Sequence, residues 1–272
     1  MKRNILINAA AIICMALVSC TINVDGETVG GETIKGNGNI VTRNYDMGAF
    51  DEISISLPAT VNFTVSNNYT CTVRVDENLI NYIEITVNGR DLQMKKTSKH
   101  KKDNLLPTEF VIEISAPSLE EINLAGNGSI NVLSPLQGGK LEVSLAGLGD
   151  VILNEPVNLQ KLELNIAGSG SLVCNELVAD KLECNVAGSG DLKVLSGTVF
   201  EADVDIAGTG DCNLSCDLEN LEANIAGTGD ITAKVSGYLD YSIIGSGNIS
   251  YYGNPVVKGG KLGRGKVERL GD

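Results

Sequence analysis

From Gly126 onward, at near-regular spacing, a Gly-x-Gly tripeptide is seven times followed by a small polar or acidic side chain, a pattern that invites phosphate or cation chemistry. The tripeptides open at Gly126, Gly147, Gly168, Gly188, Gly208, Gly227 and Gly245, and the residues after them are Ser129, Asp150, Ser171, Asp191, Asp211, Asp230 and Asn248. Phosphate loops of this type aim a helix N-terminus at the anion, and no helical pattern follows any of these glycines. Asp191, Asp211 and Asp230 form a candidate cation stripe, although calcium-binding toxin repeats return about every nine residues rather than about every twenty. The simpler role for Asp, Ser and Asn here is bonding the turn backbone.

Three other groups could do chemistry. Lys95, Lys96, Lys99, Lys101 and Lys102 surround the single histidine, His100, between two strand-like stretches. They form a candidate anion-binding loop for anionic glycan, lipopolysaccharide or lipid headgroups. His100 has no nucleophile or orienting acid marked beside it. Glu121, Glu142, Glu163, Glu183, Asp203, Glu222 and Asp240 form an acidic row that stacking would bring to about 4.8 Å spacing, where like charges repel by roughly 1 kcal/mol in water. Lys140, Lys161 and Lys181 can offset three of them; the remainder can attract calcium or a basic partner, or form a solvated stripe. Carboxylates that cleave polysaccharide must converge in a cleft, whereas these follow the repeat, so no catalytic residue is expected. The third group is Cys20. Lys2 and Arg3 precede an uncharged apolar run over residues 5–18 that closes on Leu17-Val18-Ser19-Cys20. That is a secretory signal, too short for a membrane span, and its last four residues resemble a lipobox, making Cys20 the expected lipidation site and first mature residue.

The elements that position these groups follow from the repeat. Successive first glycines are 21, 21, 20, 20, 19 and 18 residues apart. Two residues before each stand Leu124, Leu145, Ile166, Val186, Ile206, Ile225 and Ile243; four before stand Ile122, Val143, Leu164, Cys184, Val204, Ala223 and Tyr241. The rows between are polar. After the corner the alternation resumes with Ile130, Val151, Leu172, Leu192, Cys212, Ile231 and Ile249. Period-two alternation means strands with one buried and one wet face. Each repeat therefore reads as strand, glycine corner, strand and return, and the copies stack to satisfy each other's backbone. The expected fold is all-β: a right-handed, single-stranded β-helix-like solenoid with coils of about 20 residues.

Composition agrees. With 34 acidic against 21 basic residues the net charge is −13, which argues against nucleic acid. No Trp and four Phe leave little surface for stacking sugars. Of seven cysteines, Cys14 leaves with the signal and Cys20 carries lipid; Cys174, Cys184 and Cys212 fall in different inward rows and read as small core side chains. No Cys-x-x-Cys pair or His cluster suggests a metal, and no cofactor is expected.

Ala-Gly-Ser-Gly-Asp-Leu at residues 187–192, Ala-Gly-Thr-Gly-Asp from Ala207 and Ala226, Ala49-Phe50-Asp51-Glu52-Ile53, Ala116-Pro117-Ser118-Leu119 and Tyr252-Gly253-Asn254-Pro255 resemble the head GIN domain family, also called putative auto-transporter adhesins. The resemblance covers roughly residues 40–270 and implies a secreted or lipid-anchored β-helical protein with no catalytic motif. The expected organisation is a signal peptide over 1–19, a flexible tether over 20–39, irregular β coils over 40–115, and regular repeats over 116–270 ending in a cap that includes Tyr241 and Tyr251. The expected role is a non-enzymatic, lipid-anchored envelope or surface protein, an adhesin or binding protein, anchored in the outer membrane and facing periplasm or exterior. Its expected partners are the membrane, through the lipid, and a glycan or an envelope or host protein. A polysaccharide-active β-helix enzyme and a calcium-stabilised structural module are the alternatives.

Overall fold

A computed structural model describes residues 31–272; Cys20 and the signal segment lie outside the described residues. Among the described residues there is no α-helix, only strands and two short 3-10 turns. The architecture is a β-solenoid in which like rows lie on like rows. Leu136–Gly147, Val157–Gly168, Leu177–Gly188 and Gly197–Gly208 run parallel in register, with Glu142 opposite Glu163, Glu163 opposite Glu183 and Glu183 opposite Asp203. The strands after the corners, Ser129–Val132, Asp150–Leu153, Ser171–Cys174 and Asp191–Val194, stack the same way.

The glycine corner works by close approach. The carbonyl of Gly147 accepts N–H bonds from Ser169 at 2.9 Å and Gly170 at 3.0 Å in the next coil. A Cβ on Gly168 would lie 2.4 Å from that oxygen, and the residue's φ of +138° is one that L side chains rarely adopt. Each corner carbonyl is thus satisfied by the corner above it, and any side chain would separate the coils.

The return differs from a simple loop: it is a third strand. Val157 and Leu159, Leu177 and Ala179, and Cys216 and Leu218 point inward there. Two consecutive outward residues, such as Gln160-Lys161 or Asp180-Lys181, interrupt the alternation where this sheet turns into the next. Each regular coil therefore has three faces, and the core fills the space among them with fully buried Leu141, Val143, Leu164 and Leu172.

The N-terminal region joins the same stack out of sequence order. Glu52–Ile55 pairs on one side with Asp91–Lys96 and on the other with Glu121–Gly126. Thr60–Val65 lies likewise between Phe110–Ala116 and Ser129–Val132. Beyond them the strands turn antiparallel: Ile83–Asn88 on Asp91–Lys96, Thr70–Asp76 on Phe110–Ala116, and Ile40–Tyr45 on Thr70–Asp76. Buried Asp76 fastens this end. Its carboxylate accepts from Gly38 N–H at 2.7 Å, Thr108 N–H at 2.8 Å and Thr108 Oγ1 at 2.7 Å. Burial pushes its pKa up, but those donors outweigh burial and hold it below the usual carboxylate range.

Two expectations change. The tether does not run free to residue 39, because Thr33–Lys35 pairs in parallel with Asn104–Leu106; a short segment beside an unpaired edge satisfies its backbone by joining it. The tyrosine coil is not the last. Val256–Gly263 stacks on it, Val267–Gly271 on Ile249–Tyr252, and an eighth corner, Gly263-Arg264-Gly265, sits on Gly245. Tyr241 is only half-buried, and its ring lies 2.7 Å from where a Cβ of Gly259 would stand. The tyrosines fill the core one coil below the end, and glycine above makes room for them.

Candidate functional site

The outer face of the sheet that precedes the glycine corners forms a groove of about 680 Å³ running along the stack. Three rows build it. The outermost is acidic and lines the groove with Glu142, Glu163, Glu183 and Asp203; beyond the groove the same row continues in register through Glu121, Glu52 and Asp91 on one side and through Glu222, Asp240 and finally Lys258 on the other. Glu52 and Asp91 were legible, since Glu52-Ile53-Ser54-Ile55 and Asp91-Leu92-Gln93-Met94 repeat the polar-apolar order of Glu121-Ile122-Asn123-Leu124. The middle row is Gln93, Ser54, Asn123, Ser144, Asn165, Asn185 and Asp205; alanine methyls follow at Ala125, Ala146 and Ala167.

The acids do not simply repel. Lys140 reaches Glu142 at 2.8 Å and Glu163 at 3.3 Å, Lys161 reaches Glu163 at 3.3 Å and Glu183 at 2.7 Å, and Lys181 reaches Glu183 at 3.5 Å and Asp203 at 2.9 Å. Each lysine bridges its own coil to the next. Arg90 does this at the N-terminal end, gripping Asp51 through two nitrogens and Glu120 through one. Partners raise the pKa of Lys140, Lys161 and Lys181, led by Glu142, Glu183 and Asp203 respectively. Burial pushes Glu163 up, but Asn165, Lys140 and Lys161 outweigh it, so its pKa is lowered. Asn185 Nδ2 donates to Asn165 Oδ1 at 2.9 Å, continuing the ladder in the middle row. The exception is Asp205, raised by burial and by Asp203 and Glu183 beyond what Asn224 offsets.

The candidate cation stripe lies elsewhere, just past the corners. Asp191 Oδ1 accepts the N–H of Asp211 at 3.3 Å, Asp211 Oδ1 that of Asp230 at 2.9 Å, and Asp230 Oδ1 that of Asn248 at 2.7 Å. Asn248 does the same for Lys266 at 3.0 Å. These side chains cap the next coil's backbone, and among the described residues no three His, Cys, Asp or Glu side chains converge as metal ligands would.

The five lysines of the basic segment are divided. Lys95 lines the groove and donates to Gln93 at 3.0 Å; Lys96 donates to the Asp103 carbonyl at 2.7 Å; Lys99, Lys101 and Lys102 are exposed. His100 does have an orienting acid that the sequence reading missed, Asp103, 2.6 Å from Nδ1. The signal was its position three residues on, one turn away. His100 lowers Asp103's pKa first by that bond, and the ring lies against Tyr82 with centroids 4.2 Å apart.

Cys71, Cys174, Cys184, Cys212 and Cys216 are all free and buried. Burial pushes Cys71, Cys174 and Cys216 up to about 12. Cys184 is raised by burial and by neighbouring Cys212, so the rows that separate these residues along the strands bring their thiols together across the core. The raised pKa values keep Cys71, Cys174, Cys184 and Cys216 as thiols at neutral pH, without the thiolate that nucleophilic or metal chemistry uses.

Fold and groove together define a β-solenoid repeat protein whose surface is organised as continuous side-chain ladders. The chain belongs to the family described as putative auto-transporter adhesin, head GIN domain, whose model matches residues 49–154 and 149–255. It is similar to a solved structure of a putative lipid binding protein from Parabacteroides distasonis ATCC 8503, at 33% identity over 88% of this chain and 100% of that one, with a TM-score of 0.84. A putative adhesin from the same strain matches at 29% identity and TM-score 0.82 over 88% and 100% of the two chains. One from Parabacteroides merdae ATCC 43184 matches at 28% identity and 0.79 over 88% and 99%. No curated protein matches.

Proposed function

We propose that this protein is a non-enzymatic, lipid-anchored β-solenoid of the bacterial cell envelope or surface, which holds an extended ligand along the ladder groove. The observation that carries this reading is the register: the same acid, amide and methyl are offered at successive coils, a geometry suited to a polymer whose units repeat. Exposed hydroxyls of a glycan match this surface best, because the carboxylate row accepts hydrogen bonds and the amide row both accepts and donates them. The adhesin descriptions of the family and its relatives support surface binding; one relative's lipid-binding description supports a membrane association. Glu142, Glu163, Glu183 and Asp203, the outer-row acids that line the groove, already pair with lysines, which favours binding over catalysis. Asp91, Glu52 and Lys95 extend the surface toward the N-terminal end.

A glycan array probed with the full mature chain tests this. Retention of an extended glycan, weakened about tenfold by the paired change Asn165→Ala and Asn185→Ala, is expected from the loss of two hydrogen bonds at about 0.5–1.5 kcal/mol each. Turnover of a polysaccharide, abolished by Asp205→Asn, would replace the binding reading with the enzymatic one. Incorporation of labelled palmitate, lost in Cys20→Ser, checks the anchor.

A further inference from the structure

The exposed lysines face the place where the chain enters the rod. The turn Ser98–His100 and the residues after it are held by Thr97 O accepting from His100 N–H at 2.9 Å and His100 O accepting from Asp103 N–H at 3.0 Å. The Asp103 carboxylate bonds His100 on one side and Glu32 N–H, at 3.0 Å, on the other. Asn104 N–H returns a bond to Glu32 O at 2.8 Å, and Gly31 packs so closely that a Cβ there would lie 2.3 Å from the Lys102 carbonyl carbon. The basic turn and the entering segment are therefore one rigid unit. Lys99, Lys101 and Lys102 are exposed on it, and no acid among the described residues is within ion-pair distance of them.

Ten residues lie between Cys20 and Gly31, and the eleven Cα–Cα steps from one to the other reach at most about 40 Å. The ten in-register levels from Asp91 to Lys258 occupy nine spacings of about 4.8 Å, roughly 43 Å. A lipid on Cys20 thus holds the basic turn near the bilayer at high effective concentration. The far end, also basic through Lys258, Arg264 and Lys266, is kept a rod length away. We infer that Lys99, Lys101 and Lys102 are the surface on which the rod stands, against the anionic phospholipid headgroups of the membrane that holds Cys20. This rests on the anchored reading above, and extends it by setting the rod's direction: groove and C-terminal coil point away from the bilayer.

Two measurements test it. In full-length lipidated protein reconstituted into phosphatidylcholine vesicles, with and without phosphatidylglycerol, amide exchange over residues 97–106 slows only with phosphatidylglycerol and recovers at high salt. Lys99→Glu/Lys101→Glu/Lys102→Glu removes the protection and Lys258→Glu/Arg264→Glu/Lys266→Glu does not. Full chain carrying Cys20→Ser co-sediments with the anionic vesicles, and changing the three turn lysines to alanine lowers partitioning about a hundredfold with an unchanged melting curve. Equal sedimentation of wild type and turn variant, or loss only in the far-end variant, overturns the assignment. Absence of an acyl group on Cys20 in cells overturns the anchor instead, and leaves the vesicle measurement to judge the lysines by themselves.

Discussion

At its N-terminal end the rod is covered by antiparallel strands, so that Leu92 and Ile112 of the first parallel coil are fully buried, whereas at its C-terminal end every residue of Val256–Gly263 is exposed. Both ends face the same problem, a row of unpaired backbone groups that invites another chain. One end solves it with more chain. The other uses charge: Lys261 occupies the inward row above Ile243, its Nζ bonded to Gly265 O at 2.8 Å, and Lys258 succeeds the acidic row. Ten levels whose acidic row pairs in parallel register lie between two different terminations, which shows that the repeat specifies its own propagation but not its two ends.

The largest test of that contrast is a pair of truncations. Leu92→Ala is expected to cost about 2–5 kcal/mol as a buried cavity, and Val257→Ala, at a position 38% exposed, less than about 1 kcal/mol; similar losses in thermal denaturation would erase the difference between the ends. Next in size is the corner. Gly168→Ala meets both a positive φ and a carbonyl at 2.4 Å, so it should cost about 2–4 kcal/mol. Gly139→Ala, with open space around its Cβ, should be neutral or add up to about 1 kcal/mol. Equal melting temperatures for these two variants would mean that the corners do not set coil spacing.

Asp76 gives the closed end its own pH dependence. Its pKa in the folded protein is depressed, so the stability it contributes is present above its unfolded value near about 4 and disappears as pH falls through the folded value. Asp76→Asn should flatten the loss of exchange protection at residues 70–76 and 110–116 on acidification while leaving the C-terminal coil as in the wild type. The smallest expected effect on stability is Lys261→Ile, within about 0.5 kcal/mol for the monomer. It should nonetheless promote end-to-end association visible as a shift in light-scattering mass, and a strictly monomeric variant would show that charge is not what protects the open edge.

Much of the middle of the molecule was legible from single residues. Leu164, Asn165, Ile166 and Gly168 each occupy the row that alternation assigned them, because in a parallel stack a residue's environment is set by its equivalents one period away. The same rule made the acidic row and its lysines readable before any coordinates. It could also have revealed the eighth corner at Gly263, hidden by the lysines and glycines that replace apolar residues beside it. The third sheet was harder, since its inward residues, such as Leu159 and Ala179, are separated from the next inward residue by two consecutive outward ones that break the period.

The sequence by itself determined the unit, its strands, its corner and the rows of like side chains, since these depend on local alternation and on neighbours at a constant spacing. Only the tertiary structure decided that residues 52–65 lie between residues 91–116 and 121–132, that Asp76 locks Gly38 to Thr108, and that Glu32 meets Asp103 beside the exposed lysines. Those contacts join segments roughly 30 to 70 residues apart with no shared period. Pairings of that kind are chosen by the whole set of backbone groups that must be satisfied together, and no local pattern records them.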